Sequence, residues 1–249
     1  MIPNRFALLF LLLFALNCKA EREVLIKEQP VPIKKSTWKP KPIPLKKANK
    51  ILFNAFAYKW IEQAECGNLG PPCCVANPKD PGGFTCVGLS IRYNQDLIAQ
   101  IIDDSYNKFE RTTLPSIKGE VVHRYIYTAI PALELTKKRY YEKYFKPLDE
   151  CPFNIALQIM DSRVLSGQGI RLFQRSQGLK ADNIWGPNTK AACNNNPDMK
   201  AFKQERLKRF KQLKTCEHHC RGWEMRLNQL DKFINNNKGD INVYQKRIK

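Results

Sequence analysis

A glutamate among closely spaced cysteines is the feature of this chain that could do chemistry. The stretch AECGNLGPPCCVANPKDPGGFTCVG, residues 64–88, contains four cysteines and a turn-forming NPKDPGG segment. Glu65 stands directly before the first of these cysteines, and disulfide bonds among them would fix the position of its carboxyl group. A carboxyl group held at the rim of a cleft can act as a general acid or base. We therefore predict that Glu65 is the catalytic residue.

The residues that precede Glu65 predict a helix that ends close to it. Four apolar residues recur at spacings of three and four, as on one face of a helix: Phe53, Phe56, Trp60 and Ala64. Gly67 is a typical residue for the end of such a helix. Apolar surroundings and the negative end of the helix dipole would then favour the protonated form of the Glu65 carboxyl group. Glu62, one turn earlier, is the alternative carboxylate, and we interpret it as a surface acid.

The cysteines predict a disulfide framework. Of the nine cysteines, eight lie after residue 20. An even number in an exported chain is typical of disulfide bonds, although eight cysteines allow 105 pairings. Proximity in sequence favours a cluster of the first four, residues 66–86, and the pairs Cys151–Cys193 and Cys216–Cys220. The CEHHC run at 216–220 could bind zinc instead, but a disulfide is the simpler interpretation in an oxidising compartment. We predict no metal site and no cofactor.

The first twenty residues have the pattern of a secretory signal peptide. Arg5 precedes an apolar run, residues 6–16, which is too short to cross a bilayer, and Ala20 provides a small residue at the end of the pattern. We therefore predict a secreted or periplasmic protein without stable membrane insertion. Cys18 offers lipid attachment as an alternative, but the residue directly before it is not the small residue that such a site prefers.

The charge of the chain indicates an anionic partner. The net charge is +19, and it is +17 without Arg5 and Lys19. A surface of this sign attracts nucleic acid or an anionic polymer of the cell envelope. No nucleic-acid-binding motif is recognisable, and export favours the envelope polymer. Residues 21–48 alternate proline with lysine, which predicts an extended linker.

The rest of the chain predicts a mainly helical fold with a small irregular or β region near residues 68–93. Residues 95–130 are helical in parts, with a turn around LPSIKGE, and residues 131–148 form a helix that begins at a proline. From residue 151 to residue 194 we expect helix, glycine turn, helix, turn and helix. Two further apolar stripes, in residues 200–214 and 221–234, predict closing helices.

A series of motifs resembles the secretion-activator group of glycoside hydrolases, the N-acetylmuramidases of bacteria and phages. The family forms E-G-G-Y, N-D-P-x-D-P-G-G and T-x-Y-G-I-T are similar to ECG, NPKDPGG and TCVGLS in this chain. LTKKRYYEKYFKPL resembles the tyrosine-rich helix of that family. The segment from NIALQIMDS to WGPNT resembles its peptidoglycan-binding half, and ERLKRF and RGWEMR resemble its closing helices. The resemblance covers residues 50–232.

The resemblance implies a lysozyme-like helical fold that hydrolyses the β-1,4 bonds in the glycan strands of peptidoglycan. The catalytic glutamate of the family falls on Glu65, which would act as the general acid. Asp80 and Thr85 flank the turn that faces the cleft in the family. Either would position a water or a sugar, or be only a turn or strand residue. Asp161 matches a family aspartate, which lines the cleft or supports the structure. We predict substrate binding by Asp80, Thr85 and Asp161.

The residue patterns and the resemblance together predict an organisation into five segments. They are a signal peptide at 1–20, a linker at 21–48, a lysozyme-like catalytic region at 49–150, a helical peptidoglycan-binding region packed on it at 151–235, and a basic tail at 236–249.

Departures from the family motifs leave alternative functions open. The first glycine of E-G-G-Y is Cys66, its tyrosine is replaced by the insertion NLGPPCCVA, and the tyrosine of T-x-Y-G-I-T is Val87. A cleft altered in this way could belong to a non-catalytic peptidoglycan-binding protein on the same fold. It could also belong to a chitin or chitosan hydrolase. The motifs specify neither an oligomeric state nor whether the sugar anomer is retained or inverted.

Overall fold

The structure describes most of the chain from residue 44 onwards. The computed structural model describes residues 44–67, 73–76, 82–105, 109–114, 122–127 and 130–246, without the side chains of residues 102–132. The predicted signal peptide, most of the predicted linker and Asp80 lie outside the described residues.

A continuous helical segment leads to Glu65. It consists of α1 (Leu45–Leu52), a π-helical turn (Phe53–Ala57) and α2 (Tyr58–Cys66). Trp60 is buried on the predicted apolar face. Gly67 follows α2 with a φ of 52°, a conformation that glycine adopts without strain. The helix that the sequence predicted before Gly67 is therefore confirmed.

The start of α1 corrects the boundary of the predicted linker. Helix α1 begins at Leu45, and Ala48 is fully buried in the core. The last residues of the 21–48 segment therefore belong to the folded part of the chain. Prolines recur up to Pro44 and disfavour a helix in that part of the chain. The helix begins at the next residue, Leu45.

A five-stranded antiparallel sheet follows α2. In chain order its strands are β1 (Cys74–Ala76), β2 (Thr85–Cys86), β3 (Leu89–Ser90), β4 (Phe109–Leu114) and β5 (Val122–Tyr127). Across the sheet the order is β3-β2-β1-β5-β4, and each neighbouring pair is antiparallel. The first three strands lie in the predicted irregular or β region.

The hairpin of β4 and β5 was not predicted within residues 95–130, and the turn predicted around LPSIKGE lies largely outside the described residues. Among the described residues of that segment, 95–105 are helical, as predicted for part of it, and 109–114 and 122–127 form the two longest strands of the sheet. The strand sequences FERTTL and VHRYIY are rich in β-branched and aromatic residues, which favour strands. Neither alternates strictly between apolar and polar residues, so the periodicity did not identify them.

The remaining helices confirm the mainly helical prediction. They are α3 (Gln95–Ser105), α4 (Ile130–Tyr140), α5 (Phe153–Ser166), α6 (Gly169–Ser176), α7 (Pro187–Asn194), α8 (Met199–Lys211), α9 (Cys216–Asn236) and α10 (Lys238–Gln245). A π-helical turn, Tyr141–Phe145, continues α4. The predicted basic tail, 236–249, contains α10, whose Ile241 is buried. None of the helices in the described part of the chain has the length and apolar character needed to cross a bilayer.

The first helical segment and α5 share one hydrophobic core. The ring of Phe145 lies 5.1 Å from that of Phe53 and 5.9 Å from that of Phe153, measured between centroids. Asn49 in α1 is also fully buried, and its side-chain nitrogen donates to the carbonyl oxygens of Asp149 and Cys151, each at 2.8 Å. These contacts fix the helix that carries Glu65 against the start of α5.

Four disulfide bonds join the described cysteines. They are Cys66–Cys73, Cys74–Cys86, Cys151–Cys193 and Cys216–Cys220. The predicted cluster and both predicted distant pairs are confirmed. In the CEHHC run the two cysteines are therefore bonded to each other, and the ring of His219 packs at 5.7 Å from that of Trp223.

We expect the chain from residue 21 onwards to contain no free thiol. Complete reduction should raise its intact mass by about 8 Da, two hydrogens for each of the four bonds, and mass spectrometry before and after reduction measures this. Peptide mapping should separate Cys66–Cys73 from Cys74–Cys86. Stoichiometric zinc together with two reactive thiols at CEHHC would contradict the expectation.

Candidate active site

The side chain of Glu65 projects from the last turn of α2 towards α9. Its Oε1 accepts a hydrogen bond from Nη1 of Arg226 at 2.7 Å. The Glu65 side chain is 18% exposed and that of Arg226 is 11% exposed. The carboxyl group thus lies at the boundary between the interior and solvent, and Arg226 lies on its interior side.

Arg226 connects Glu65 to Asp161, a fully buried aspartate in α5. Arg226 Nε donates to Oδ1 of Asp161 at 2.9 Å, and Arg226 Nη2 lies 2.8 Å from the same oxygen. Trp60 Nε1 also donates to Oδ1, at 2.9 Å. Arg206 in α8 donates to Oδ2 at 2.5 Å. We call these five residues the buried charge network: Glu65, Arg226, Asp161, Arg206 and Trp60.

Charge pairing outweighs burial at two members of this network, Asp161 and Arg226. Burial alone would raise the pKa of Asp161, but Arg226 and Arg206 lower it below its usual value. Burial alone would lower the pKa of Arg226, but the charges of Asp161 and Glu65 raise it. Both groups are therefore ionised at neutral pH, so Asp161 holds Arg226 by a charged contact.

The second oxygen of Glu65 faces the turn between β2 and β3. Val87 and Gly88 form this turn with φ values of 46° and 73°. A Cβ added to Gly88 would lie 2.6 Å from Cδ of Glu65 and still closer to Oε2. Gly88 is exposed. The absence of a side chain at this position therefore leaves Oε2 next to backbone and solvent.

Two tyrosines line the side of Glu65 that faces α4. Tyr140 is fully buried, and its hydroxyl donates to the carbonyl oxygen of Val87 at 2.5 Å. Burial raises its pKa, and the negative charge of Glu65 raises it further. The pKa of Tyr144 is also raised, by burial first and also by Glu65, against the opposing effect of Arg163. Both phenols are neutral at physiological pH, and Tyr140 fixes the turn beside Glu65.

The structure describes two of the three other predicted site residues, Asp161 and Thr85. Asp161 is fully buried and bonded to three side chains, which favours the structural role among its two predicted roles. Thr85 lies in β2, shortly before the turn beside Glu65, and its hydroxyl donates to the carbonyl oxygen of Gly83 at 3.1 Å. Asp80 lies outside the described residues.

Glu62 lies apart from Glu65. It lines a pocket of about 440 Å³ together with Leu133 and Lys137 near the start of α4. Burial raises its pKa, and Lys137 acts in the opposite direction. Its neighbours are therefore not those of the buried charge network.

A groove between α2 and α9 lies along the end of α2, and Glu65 is not among the residues that line it. Its volume is about 540 Å³. It is lined by Trp60, Gln63, Ala64, Gly67, Gln229, Lys232, Phe233 and Asn236. The rings of Trp60 and Phe233 lie 5.5 Å apart. Groups of three or more His, Cys, Asp or Glu residues that could bind a metal ion are absent from the described residues.

The roles of Arg226 and Gly88 were not predicted from the sequence. Arg226 belongs to RGWEMR and Gly88 to TCVGLS, so each lies in a motif that the resemblance used. An arginine on the apolar side of a predicted helix was a signal, because it must find a buried partner. Its partners, however, lie 65 and 161 residues away in the sequence.

The comparisons with known proteins show the fold. No model of a known protein family matches the chain, and no curated protein matches it. Among solved structures, that of SagA from Brucella abortus is similar, with a TM-score of 0.51 and 22% identity over 75% of this chain and 95% of SagA. Together with the helices and the small sheet, this similarity supports the predicted lysozyme-like helical fold.

Replacement of Gly88 tests the contact between the turn and Glu65. We expect Gly88→Ala to lower the free energy of unfolding by about 1–2 kcal/mol through its left-handed backbone. The displaced Glu65–Arg226 contact should add about 1.5–3 kcal/mol, the range for hydrogen bonds to charged groups. Denaturant unfolding measures the sum.

Gly167→Ala is the matched control for this variant. Gly167 has a φ of 67°, and an added Cβ would meet nothing within 4 Å. Only the backbone contribution applies there. Equal losses for the two variants would show that Gly88 makes no close contact with Glu65.

Proposed function

We propose that the protein is a secreted muramidase-like hydrolase that cleaves the β-1,4 glycan bonds of peptidoglycan. One observation carries this proposal: the glutamate at the family's catalytic position, Glu65, presents Oε2 to the exposed Gly88 turn. ECG, NPKDPGG and TCVGLS, which surround this arrangement in sequence, are the motifs that resemble the muramidases. The fold shared with SagA supports the same proposal.

In the proposed reaction Glu65 donates a proton to the leaving oxygen of the glycosidic bond. Oε1 accepts from Arg226, so the proton transferred to the substrate is carried by Oε2. The bond between the anomeric carbon and the leaving oxygen breaks through a transition state with oxocarbenium character. Water adds to the anomeric carbon, and the proton that it loses replaces the one that Glu65 donated. Since Asp161 is fully buried, it is poorly placed to activate water or to attack the sugar. We assign the positioning of the water to Asp80 and a sugar contact to Thr85.

The groove between α2 and α9 is the proposed site for sugars next to the scissile bond. Three exposed amides line it, those of Gln63, Gln229 and Asn236, and their side chains have no hydrogen-bond partner among the described residues. Amides of this kind suit the hydroxyl and acetamido groups of an aminosugar. Lys232 suits the carboxylates of muramic acid or of the peptide stems.

The alternative is a peptidoglycan-binding protein that does not turn over its ligand. The ion pair between Arg226 and Glu65 favours this alternative, because a charged hydrogen bond stabilises the carboxylate form. A general acid must be protonated when the substrate binds. The two functions are separated by a digestion experiment.

Glu65→Gln should lower the digestion of purified peptidoglycan by at least ~100-fold, the lower end of the range for general acid catalysis. Glutamine preserves the shape of the side chain and an acceptor for Arg226, so binding to walls should persist. Product release and the new reducing ends measure hydrolysis, and mass spectrometry of the products identifies the cleaved bond.

Glu62→Gln is the control for this experiment, because Glu62 lies one turn away with different neighbours. It should keep most of the activity. The reverse pattern would assign the acid to Glu62. A wild-type protein that binds walls without releasing products would establish the binding function instead.

The charge of the chain predicts that binding to whole walls depends on salt. The Debye screening length falls from about 10 Å at 0.1 M salt to about 3 Å at 1 M salt. The amount of protein that is pulled down with cell walls should therefore fall steeply over this range of salt. Turnover of a short neutral oligosaccharide should change little. Residues 21–43 end before α1. Their deletion should weaken binding to whole walls and leave the hydrolysis of short substrates nearly unchanged. Loss of short-substrate turnover would show that this segment supports the active site.

A further inference from the structure

The position of Arg226 is fixed by contacts with Asp161 as well as with Glu65. Its guanidinium contacts Asp161 through Nε and Nη2 and Glu65 through Nη1. Asp161 in turn is fixed by Trp60 and Arg206. Since the side chains of Asp161 and Arg206 are 0% and 3% exposed, water does not compete for these contacts. The orientation of Arg226 is therefore set before any ligand binds.

We propose that Arg226 is a positioning residue that selects the oxygen and the protonation state with which Glu65 meets its substrate. The proposal rests on the proposed function and adds a second role for the C-terminal helices. Arg226 occupies Oε1, so proton exchange with the substrate is confined to Oε2. The rigid guanidinium also prevents the carboxyl group from rotating, because rotation would break a charged hydrogen bond.

The charges around Glu65 give this arrangement an electrostatic consequence. Two carboxylates, Glu65 and Asp161, face two guanidinium groups, Arg226 and Arg206, so the network is neutral when Glu65 is ionised. Protonation of Glu65 leaves one net positive charge in the network. Loss of the Arg226 charge should therefore favour the protonated form of Glu65.

The other groups that face Glu65 do not supply a second positive charge in contact with its carboxyl group. Tyr140 in α4 and Tyr144 in the following π-helical turn are neutral because burial raises the pKa of both. Arg163 in α5 interacts with Tyr144, and its guanidinium donates to backbone carbonyl oxygens of Tyr144 and Lys143. Gly88 contributes only backbone. Arg226 is thus the cation that contacts Glu65 in the described structure.

The test uses Arg226→Met and Arg226→Lys. Methionine removes the charge and keeps much of the length. We expect kcat to fall at least tenfold with KM changed less than threefold. The alkaline limb of the pH–rate profile should move up by about one pH unit, the lower end of the effect of an adjacent opposite charge. Lysine keeps the charge but cannot contact both carboxylates with a planar fork. It should keep the limb near the wild-type pH while kcat stays reduced.

Arg206→Met is the matched control. Arg206 contacts Asp161 but makes no hydrogen bond or ion pair with Glu65 among the described contacts. This variant should lose stability, as Arg226→Met does, but the alkaline limb should stay near its wild-type position. If Arg226→Met and Arg206→Met shift the limb equally, or if neither shifts it, then Arg226 has only a structural role.

A titration without substrate separates this proposal from the proposed function. Carbon NMR of protein labelled at its glutamate carboxyl groups follows Glu65, and the signal is assigned by its absence in Glu65→Gln. The midpoint should lie at higher pH in Arg226→Met than in wild type, whether or not walls are cleaved. Unchanged midpoints in both Arg226 variants would overturn the proposal. Should Arg226→Met not fold, Arg226→Lys still decides it, because an unchanged kcat at every pH excludes a positioning role.

Discussion

The buried ion pair between Arg226 and Asp161 is the interaction on which the candidate active site depends. Removal of both charges from water is unfavourable unless the remaining donors and acceptors find partners. Here they largely do, because Asp161 receives hydrogen bonds from Trp60, Arg206 and Arg226. The pair therefore joins four helices, α2, α5, α8 and α9, at one point. Loss of a single partner would leave a buried unpaired charge, which typically destabilises a protein by about 3–5 kcal/mol.

This network makes the two regions predicted by the family resemblance depend on each other. The carboxyl group of Glu65, the proposed general acid, comes from the region predicted as 49–150. Asp161, Arg206 and Arg226 all come from the region predicted as 151–235. The helices expected only to bind the wall therefore also supply the groups that orient the proposed acid. The hydrophobic core also joins the two regions, because Phe53 and Phe145 of the first region and Phe153 of the second pack in one cluster.

Local patterns in the sequence predicted the elements, while the site depends on distant contacts. The spacing of Trp60 and its apolar neighbours predicted the helix and its end at Gly67, because helix faces depend on residues three and four apart. Proximity along the chain predicted the cluster of the first four cysteines and the two further pairs, but not the pairing within the cluster. The hairpin β4–β5 was missed because strand pairing is specified across the sheet rather than within a strand. The partners of Arg226 were missed because they are separated from it by 65 and 161 residues.

The disulfide bonds next to Glu65 connect the helix that carries its carboxyl group to the turn that the carboxyl group faces. Cys66 follows Glu65 directly and is bonded to Cys73, and the next residue, Cys74, is bonded to Cys86. Gly88 lies two residues after Cys86. A short covalent path thus runs from the end of α2, through Cys73 and the first residue of β1, Cys74, to the turn that faces Oε2. Arg226 fixes the carboxyl group from the interior and the disulfides fix the turn from the sheet. The two constraints act on opposite oxygens of the same carboxyl group, so neither makes the other redundant.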